Sequence, residues 1–417
     1  MCLSQFNTRL FVSGGDVLLP VELPKLVALP AIKLSSAAPG KTWISGMAVL
    51  PGPDGNQPFC ALNQTGDSLL LASNGRDFDR TLKTGYAPYA VAVSPDGKSI
   101  AVSNWGDQSV SLFEVKTGKE KRIGVGAHPN EMVWSRKGRL FVACSGANSV
   151  SVLQGGQEGR VIETIKTCLD PSAPVGSTPI ALALSPDQSR LYVANADNND
   201  VAVIDVSDPK ESRILGLIPT GWYPSALAVS ADSKTLYVWV GKGMKFAANA
   251  QGPYIGKILN GAVEVIGVPN QSQLGAYTKE VIANTPAPER EMRVTAGQQA
   301  ILKNTFPQIK HVLWIIRENR TYDQMMGDLP YGNGDPSLTM FGKDVTPNGH
   351  ALAQEFTLFD NLYCSGEVSE DGHEWCNAAY ATDFTEKAWI SSYAGRGEPE
   401  ADERLAVTYG TIAASTT

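Results

Sequence analysis

The residues of this 417-residue chain that could do chemistry begin with the polar cluster Arg317-Glu318-Asn319-Arg320. Glu318 and Asn319 offer a carboxylate and an amide oxygen, which are hard donors suited to a divalent cation. The local pattern alone is equally compatible with a surface turn that carries polar side chains. The elements on either side of the cluster therefore matter to its interpretation.

These neighbouring elements are predicted to place the cluster at the edge of a sheet. His311–Ile316 is a continuous apolar run without alternation, which predicts a strand buried on both faces, as in a parallel α/β sheet. Thr321–Met326 predicts a helical turn directly after the cluster. Because α/β enzymes hold their sites where a buried strand ends before a helix, this position favours a functional site.

The same stretch resembles a known family. Ile315–Gly327 (IIRENRTYDQMMG) is similar to the ENRSFDxxxG opening of the phosphoesterase family, which contains bacterial phospholipases C and acid phosphatases of the alkaline-phosphatase-like superfamily. The resemblance implies that Glu318 and Asn319 ligate a catalytic divalent metal ion and that the substrate is a phosphoester. It also implies that Arg320, Tyr322 and Asp323 organise the loop.

A second segment continues this likeness. Phe356–Cys364 predicts another strand, and it is followed by the loop Ser365–His373 and by a helical pattern over residues 374–382. In similar enzymes the nucleophilic Ser or Thr lies on such a loop, at a helix N-terminus that faces the metal.

The resemblance implies that Ser369 is the catalytic nucleophile and a metal ligand, with Ser365 as the alternative nucleophile. A cation and a helix dipole would stabilise the alkoxide of such a hydroxyl, which is otherwise a poor nucleophile. His373 is expected to contact the substrate phosphate. The other interpretation of Ser369 is that it only caps the helix.

Upstream of these clusters, the chain repeats itself. Four segments each contain an opening proline, a short apolar run, a polar turn and a second apolar run, and they are Pro88–Asn104, Pro129–Cys144, Pro179–Asn195 and Pro224–Trp239. Apolar runs of this length, joined by turns such as Pro95–Lys98, predict strands in small antiparallel sheets. A period of roughly 40–50 residues with four strands per unit is typical of a β-propeller, whereas a β-sandwich is the alternative.

These repeats resemble the YVTN-type β-propeller family, and Leu191–Asn195 (LYVAN) is nearest to its hallmark strand. Weaker copies of the second run are Leu10–Gly14 and Leu69–Asn74, and Ala262–Val268 is a last strand-like piece. The prediction is an all-β propeller of six or seven blades. Because no strand of the first blade precedes Leu10–Gly14, we expect that the sequence begins inside a longer protein, or that a C-terminal strand closes the ring.

The sequence thus predicts three parts: the propeller over residues 1–268, a helical linker over 269–306, and the N-terminal part of a phosphoesterase α/β domain over 307–417. In the linker, Gln271–Thr285 predicts an amphipathic helix whose apolar side chains are Leu274, Tyr277, Val281 and Ile282. Residues 289–304 predict a second helix.

Composition narrows the possible partners. The formal net charge is −7, and without basic runs this argues against nucleic acid as a main partner. No apolar stretch approaches the ~20 residues of a membrane span. Proteins similar in both parts are exported, so a periplasmic or extracellular location is expected, although Met1–Gln5 is not the start of a signal peptide.

Two functions remain open. The first is a metal-dependent hydrolase of phosphoric esters with an accessory propeller, and the second is a non-catalytic propeller that binds a ligand or a protein on its face. Members of the superfamily complete their site with Asp and His residues far downstream, and the stretch after Pro307 is short for a whole domain. We therefore expect a truncated phosphoesterase domain, weak metal binding, and slow or no hydrolysis by this chain alone.

Overall fold

Six antiparallel sheets follow one another along the described part of residues 2–267 and form a six-bladed β-propeller. This computed structural model describes residues 2–4, 7–14, 17–33, 43–53, 57–156, 159–168, 174–244, 258–285, 296–362 and 366–387. In blades two to six, strands that are consecutive in sequence pair as neighbours in the sheet, so each blade is a local up-and-down meander.

The strands of blades one to three are β1 (Cys2–Leu3), β2 (Arg9–Gly14), β3 (Val17–Glu22), β4 (Val27–Ala28), β5 (Ile32–Lys33), β6 (Ile44–Val49), β7 (Phe59–Asn63), β8 (Ser68–Ala72), β9 (Arg80–Lys83), β10 (Pro88–Val93), β11 (Ser99–Asn104), β12 (Ser109–Glu114) and β13 (Glu120–Gly124). Those of blades four to six are β14 (Pro129–Trp134), β15 (Arg139–Cys144), β16 (Ser149–Gln154), β17 (Arg160–Lys166), β18 (Pro179–Leu184), β19 (Arg190–Asn195), β20 (Asp200–Asp205), β21 (Arg213–Pro219), β22 (Pro224–Val229), β23 (Thr235–Val240) and β24 (Ala262–Gly267). Blade one comprises β1–β5, blades two to five have four strands each, and blade six has three strands within the described residues.

The four strong repeats of the sequence coincide with blades three to six. Their opening prolines, at 88, 129, 179 and 224, each begin the first strand of a blade. The residue before each of these prolines has a left-handed backbone, with φ of 50° at Ala87, 50° at His128, 51° at Thr178 and 62° at Tyr223. The propeller prediction is therefore confirmed, with six blades.

Two details of the repeat alignment are wrong. Leu69–Asn74 overlaps β8, the third strand of blade two, whereas the second strand is β7. Blade one also has a strand ahead of β2, because Cys2 pairs with Phe11 and Leu3 with Leu10. Neither β1 nor β7 is evident in the repeat pattern, because β1 is two residues long and the β7 sequence (FCALN) departs from the repeat.

The turn between the first two strands of a blade is held by its own side chains. In blade three, the Ser94 hydroxyl donates to Asp96 Oδ1 at 2.6 Å, and the same oxygen accepts the Lys98 N–H at 3.1 Å. Gly97 supplies the left-handed conformation that this turn requires, with φ of 68°. Equivalent Ser–Asp pairs recur at Ser185–Asp187 and Ser230–Asp232, which confirms the predicted turn.

The hydrophobic core lies between adjacent blades. Between blades four and five, for example, Phe141 and Val152 share one buried cluster with Leu191 and Ile204. Alternate side chains of the first strands pack against such clusters: Leu182 is buried, and the others are half-buried, namely Val91, Val93, Leu184, Leu227 and Val229.

Helix α1 (Gln271–Asn284) packs on the outer strand of blade five, which confirms the predicted amphipathic helix. Asn270 and Gln273 form a capping box at its start. Leu274 and Val281 are buried, and Gly216 on β21 leaves no room for a side chain, because a Cβ there would lie 2.8 Å from Leu274 Cγ. Close approach to the strand thus depends on this glycine.

The described residues divide into two compact units, one made of residues up to 285 together with 368–387, and one made of residues 286–367. The second unit contains α2 (Ala296–Thr305), α3 (Tyr322–Met326) and α4 (Pro347–Glu355). The first unit also contains α5 (Ser369–Ala378) and a helical turn over residues 383–387.

Two predicted strands are wrong. Within the described residues of 286–367 there is no strand, so His311–Ile316 and the described part of Phe356–Cys364 are not paired into a sheet. Their apolar side chains are instead exposed, for example Leu313 at 84% and Leu362 at 81%. A strand needs a neighbouring strand to satisfy its backbone, and this unit supplies none. The predicted α/β sheet is accordingly not confirmed.

Candidate functional site

The cluster predicted to bind metal lies in an exposed segment of the second unit that has no regular secondary structure. Glu318 and Asn319 are both exposed. Asn319 adopts a left-handed backbone with φ of 67°, and its carbonyl oxygen accepts a hydrogen bond from Arg320 Nη1 at 2.6 Å. The Arg320 guanidinium also lies 5.2 Å from the ring centroid of Phe341. Arg320 therefore fixes the backbone next to the two candidate ligands.

The residues that follow hold the loop to helix α3. Thr321 and Gln324 form a capping box at the start of this helix. Asp323 Oδ1 accepts the backbone N–H of Asp335 at 2.8 Å, which ties the helix to a distant part of the loop. Asp323 therefore connects α3 to the residues before Pro336.

A buried histidine in the same unit pairs with an aspartate that the sequence analysis did not single out. His350 Nε2 lies 2.8 Å from Asp328 Oδ1, and His350 Nδ1 lies 3.0 Å from Thr346 Oγ1. The Thr346 hydroxyl also lies 3.0 Å from the Phe341 carbonyl oxygen, so this arrangement of Asp, His and Thr binds the start of α4 to the loop. The pair spans 22 residues of sequence and leaves no local pattern by which it could be found.

Ser369 begins helix α5 in the first unit, and it does not cap that helix. The N-cap residue is Val368, and its N–H donates to Asp371 Oδ1 at 3.0 Å. The Ser369 side chain is exposed and has no hydrogen-bond partner among the residues that the structure describes. The capping interpretation of Ser369 is therefore wrong, and its hydroxyl is accessible at a helix N-terminus.

Helix α5 also carries His373, which lies one turn after Ser369. Residues at i and i+4 occupy the same side of a helix, so the two side chains share one face. Ser365, the alternative nucleophile, lies outside the described residues. The structure thus brings Ser369 and His373 together on one helix, while Glu318 and Asn319 belong to the other unit.

A second polar group, which sequence reasoning missed, lies in the first unit near residues 383–387. The imidazole of His128 stacks on the indole of Trp105, with centroids 4.0 Å apart and planes 8° from parallel. Burial lowers the pKa of His128, although the nearby carboxylate of Asp383 opposes this effect. The buried Nδ1 of His128 lacks a hydrogen-bond partner within the described structure.

Two more groups of this region come from blades five and six. Burial raises the pKa of Asp197 to about 7, and the Thr178 hydroxyl, which donates to this carboxylate, opposes the shift. Tyr223 is buried and its pKa is raised well above the ordinary value, first by burial and then by the carboxylates around it. His128, Thr178 and Tyr223 each stand directly before the opening proline of a repeat. This shared position is the sequence feature from which the group could have been predicted.

The candidate metal ligands fit a hard divalent cation by type. Glu318, Asn319 and Ser369 would supply a carboxylate, an amide and a hydroxyl oxygen, and none is a soft donor. In the first unit, Asp371 and Glu386 also place carboxylate oxygens within 4.8 Å of each other.

Among the helices of the described residues, none combines the length and apolar character that crossing a lipid bilayer requires. No protein-family model matches the chain, and no curated protein sequence matches it.

Solved structures match the propeller at low identity. The chain is 18% identical to Kuenenia stuttgartiensis hydrazine synthase, with a TM-score of 0.49 over 64% of this chain and 82% of that one. It is 16% identical to a candidate 6-phosphogluconolactonase from Bacteroides uniformis, with a TM-score of 0.47 over 58% of this chain and 77% of that one. It is 14% identical to the RRP9 WD40 repeats, with a TM-score of 0.49 over 60% of this chain and 74% of that one. Identities and scores this low carry no argument about function.

Proposed function

We propose that this chain contributes a nucleophile and metal ligands to a metal-dependent hydrolase of phosphoric esters, with the propeller as an accessory part. The observation that carries the proposal is the exposed hydroxyl of Ser369, at the start of α5 and not used in capping. Support also comes from the resemblance of Ile315–Gly327 to the opening of the phosphoesterase family. The same resemblance implies Glu318, Asn319 and Ser369 as the ligands of the divalent cation.

The reaction would proceed in two displacements at phosphorus. The Ser369 oxygen attacks the phosphorus atom, the bond to the leaving alcohol breaks, and a phosphoserine forms. Water then attacks the phosphoserine and releases inorganic phosphate or a phosphomonoester, which regenerates the hydroxyl. The cation would supply the positive charge that lowers the pKa of the serine hydroxyl and offsets the negative charge of the phosphate.

The other residues of α5 would act on the phosphate. The first backbone N–H groups of a helix have no partners within the helix, so they can donate to phosphate oxygens. His373, on the same face as Ser369, would donate a further hydrogen bond. We propose a periplasmic or extracellular location, because proteins of similar organisation are exported.

The test is hydrolysis of p-nitrophenyl phosphate and bis(p-nitrophenyl) phosphate in a series of divalent metals. It uses the 417-residue chain and, where the gene continues beyond codon 417, the longer product. Ser369→Ala should lower kcat by at least about 10³-fold, because no nucleophile remains. Acid-quenched samples should show phosphate on the peptide that contains Ser369.

The matched control is Ser272→Ala, which removes an exposed serine from the first turn of α1 and should leave turnover unchanged. Metal-dependent turnover that survives Ser369→Ala, or no turnover in either length of chain, would contradict the proposal.

A second candidate is a propeller that binds a ligand or a protein without catalysis. The observation in its favour is the group of buried polar side chains from blades three to six, which includes His128 and Tyr223. Because this group lies beside Asp383 of the same chain, a ligand or protein partner would have to bind next to residues 383–387 or displace them.

A further inference from the structure

A second set of polar side chains from blades three, four and six contacts a segment of the same chain, and it consists of Tyr89, Trp105, Asn130, Ser145 and Lys242. Residues 383–387 form a helical turn directly after α5 and its connecting residues, and they belong to the same compact unit as the blades. Asp383 and Glu386 are buried, and their side chains are fully inaccessible. Burying a carboxylate costs free energy unless it is paired and hydrogen-bonded, so the stability of this arrangement depends on the partners of Asp383 and Glu386.

Asp383 is satisfied by blades three and four. Its Oδ1 accepts hydrogen bonds from Trp105 Nε1 at 3.1 Å and from Ser145 Oγ at 2.8 Å. Burial would raise the pKa of Asp383, but Lys387, His128 and these two donors hold it below the ordinary value. Asp383 is therefore an anion whose hydrogen-bond donors are supplied by blades three and four.

Lys387 and Glu386 also have polar or charged partners on the propeller. Lys387 Nζ donates to Tyr89 Oη at 2.7 Å and to Asn130 Oδ1 at 3.4 Å, and it lies 3.4 Å from Asp383 Oδ2. Lys242, just after β23 of blade six, lies 2.5 Å from Glu386 Oε2. An anion and a cation of the segment thus each have a complementary partner on a different blade.

The docked turn is joined rigidly to helix α5. Glu374 on the helix accepts the Thr382 N–H at 3.0 Å through Oε2 and the Thr385 hydroxyl at 2.9 Å through Oε1. Trp375 Nε1 donates to Glu386 Oε1 at 3.3 Å. Because these bonds connect the helix to residues on both sides of Asp383, the helix cannot move independently of the docked turn.

We propose that the polar group formed by Tyr89, Trp105, Asn130, Ser145 and Lys242 is a docking site for residues 383–387, and that it positions helix α5 and so the Ser369 hydroxyl. The docking requires blades three, four and six in their folded arrangement, which makes the propeller a rigid base for the helix. The positioning role rests on the proposed function, whereas the docking does not. These propeller residues are positioning residues, since they act on Ser369 through α5.

The experiment is hydrogen exchange of the full chain, read by mass spectrometry on peptides within residues 371–387. Glu386→Gln and Lys242→Met each leave a buried group without its partner, so each should raise the exchange rate of these peptides by at least about 100-fold. The double variant, which carries both substitutions, removes both charges and should restore most of the protection. Glu211→Gln is the control, because this glutamate lies exposed on the outer part of blade five.

The second readout is turnover in the active form of the protein. The single variants should lower kcat at least about tenfold with KM changed less than about twofold, since the helix that carries the nucleophile is misplaced. The double variant should recover both the protection and kcat, which a merely unfolded chain could not do.

Unchanged exchange in both single variants would overturn the docking. Lost protection with unchanged kcat would overturn the positioning role. No turnover in any form, including the unaltered chain, would count against the proposed function, and the exchange rates would still decide the docking.

Discussion

Asp200 is a buried carboxyl group at the start of β20 whose ionisation opposes folding. Asn195 Nδ2 donates to its Oδ1 at 2.8 Å, whereas Oδ2 has no partner within the described structure. Burial raises the pKa of Asp200 to about 7, and the single amide bond only partly opposes this shift. In the folded chain the group therefore stays protonated at pH values where the unfolded chain has released the proton.

We expect Asp200→Asn to reduce the pH dependence of stability. Because the folded pKa is raised, the wild-type contribution is fully present below about pH 4 and is lost as pH rises to about 7, by about 1.4 kcal/mol per pH unit at most. The free energy of unfolding of the variant, relative to wild type, should thus increase from pH 4 to pH 7. Urea unfolding at pH 4, 5.5 and 7 measures this change.

The control for this prediction is Asp205→Asn, at the other end of the same strand. The Ser207 hydroxyl and backbone hold the pKa of Asp205 below its ordinary value, so this group titrates mainly below pH 4 and the control should differ little with pH between pH 4 and pH 7. A difference between Asp200→Asn and wild type that is flat across this range would show that Asp200 is ionised in the fold.

At the scale of single residues, the sequence predicted a helix in the right region but not where it starts or what the Ser369 side chain does. The helical pattern was predicted over residues 374–382, with Ser369 on the preceding loop, whereas α5 begins at Ser369 and ends at Ala378. Whether Ser369 caps that helix depends on Asp371, whose carboxylate accepts the Val368 N–H instead. Serine and aspartate compete for such positions by small differences in geometry, which a sequence pattern does not resolve.

At the scale of elements, apolar patterns predicted strands well where the fold supplies a neighbouring strand. Most propeller strands find that neighbour across a short turn, as β10 and β11 do across residues 94–98, and β24 finds β23 across the longer connection 241–261. His311–Ile316 has an equally strong strand composition, yet it is exposed and without regular secondary structure in the second unit. Composition reports a preference for the pleated conformation, whereas pairing depends on another segment.

Helix α1 offers an element whose contribution can be measured. Leu274→Ala should lower the free energy of unfolding of the first unit by about 2–5 kcal/mol, because it removes a buried side chain packed against Gly216 and leaves a cavity. Chemical denaturation followed by Trp fluorescence measures the loss. Ile282→Ala, on the same helix at 39% exposure, should change stability by less than about 1 kcal/mol. Equal effects of the two substitutions would mean that α1 does not pack on β21.

At the scale of the whole molecule, the sequence predicted the propeller but not the docking of residues 383–387. The propeller follows from four repeats whose contacts are mostly local. The hydrogen bond between Trp105 and Asp383 instead joins residues 278 positions apart, on elements that share no repeat. Complementary donors and acceptors at such separation leave no periodic signal.

Limited proteolysis should reveal how the two parts of the first unit are held together. Trypsin should cut after Lys310 or Arg317 before it cuts the blades, since both residues lie exposed in a stretch without regular structure. The two products should then elute together from a native gel-filtration column and separate in urea, because the docking contacts are non-covalent.

The same cleavage in the Glu386→Gln variant should release the C-terminal product at a lower urea concentration. Products of the wild-type chain that separate without denaturant would contradict the docking.

At the four left-handed residues before the opening prolines, backbone stability and side-chain chemistry favour different residue types. Glycine adopts this conformation without the penalty of roughly 1–2 kcal/mol that other residues incur, so folding alone would favour it at Ala87, His128, Thr178 and Tyr223. A design procedure that scored only stability would therefore replace them with glycine. It would at the same time remove the His128 imidazole, the Thr178 hydroxyl and the Tyr223 phenol, and the more stable protein would lose the polar groups that lie close to Asp383 and Asp197.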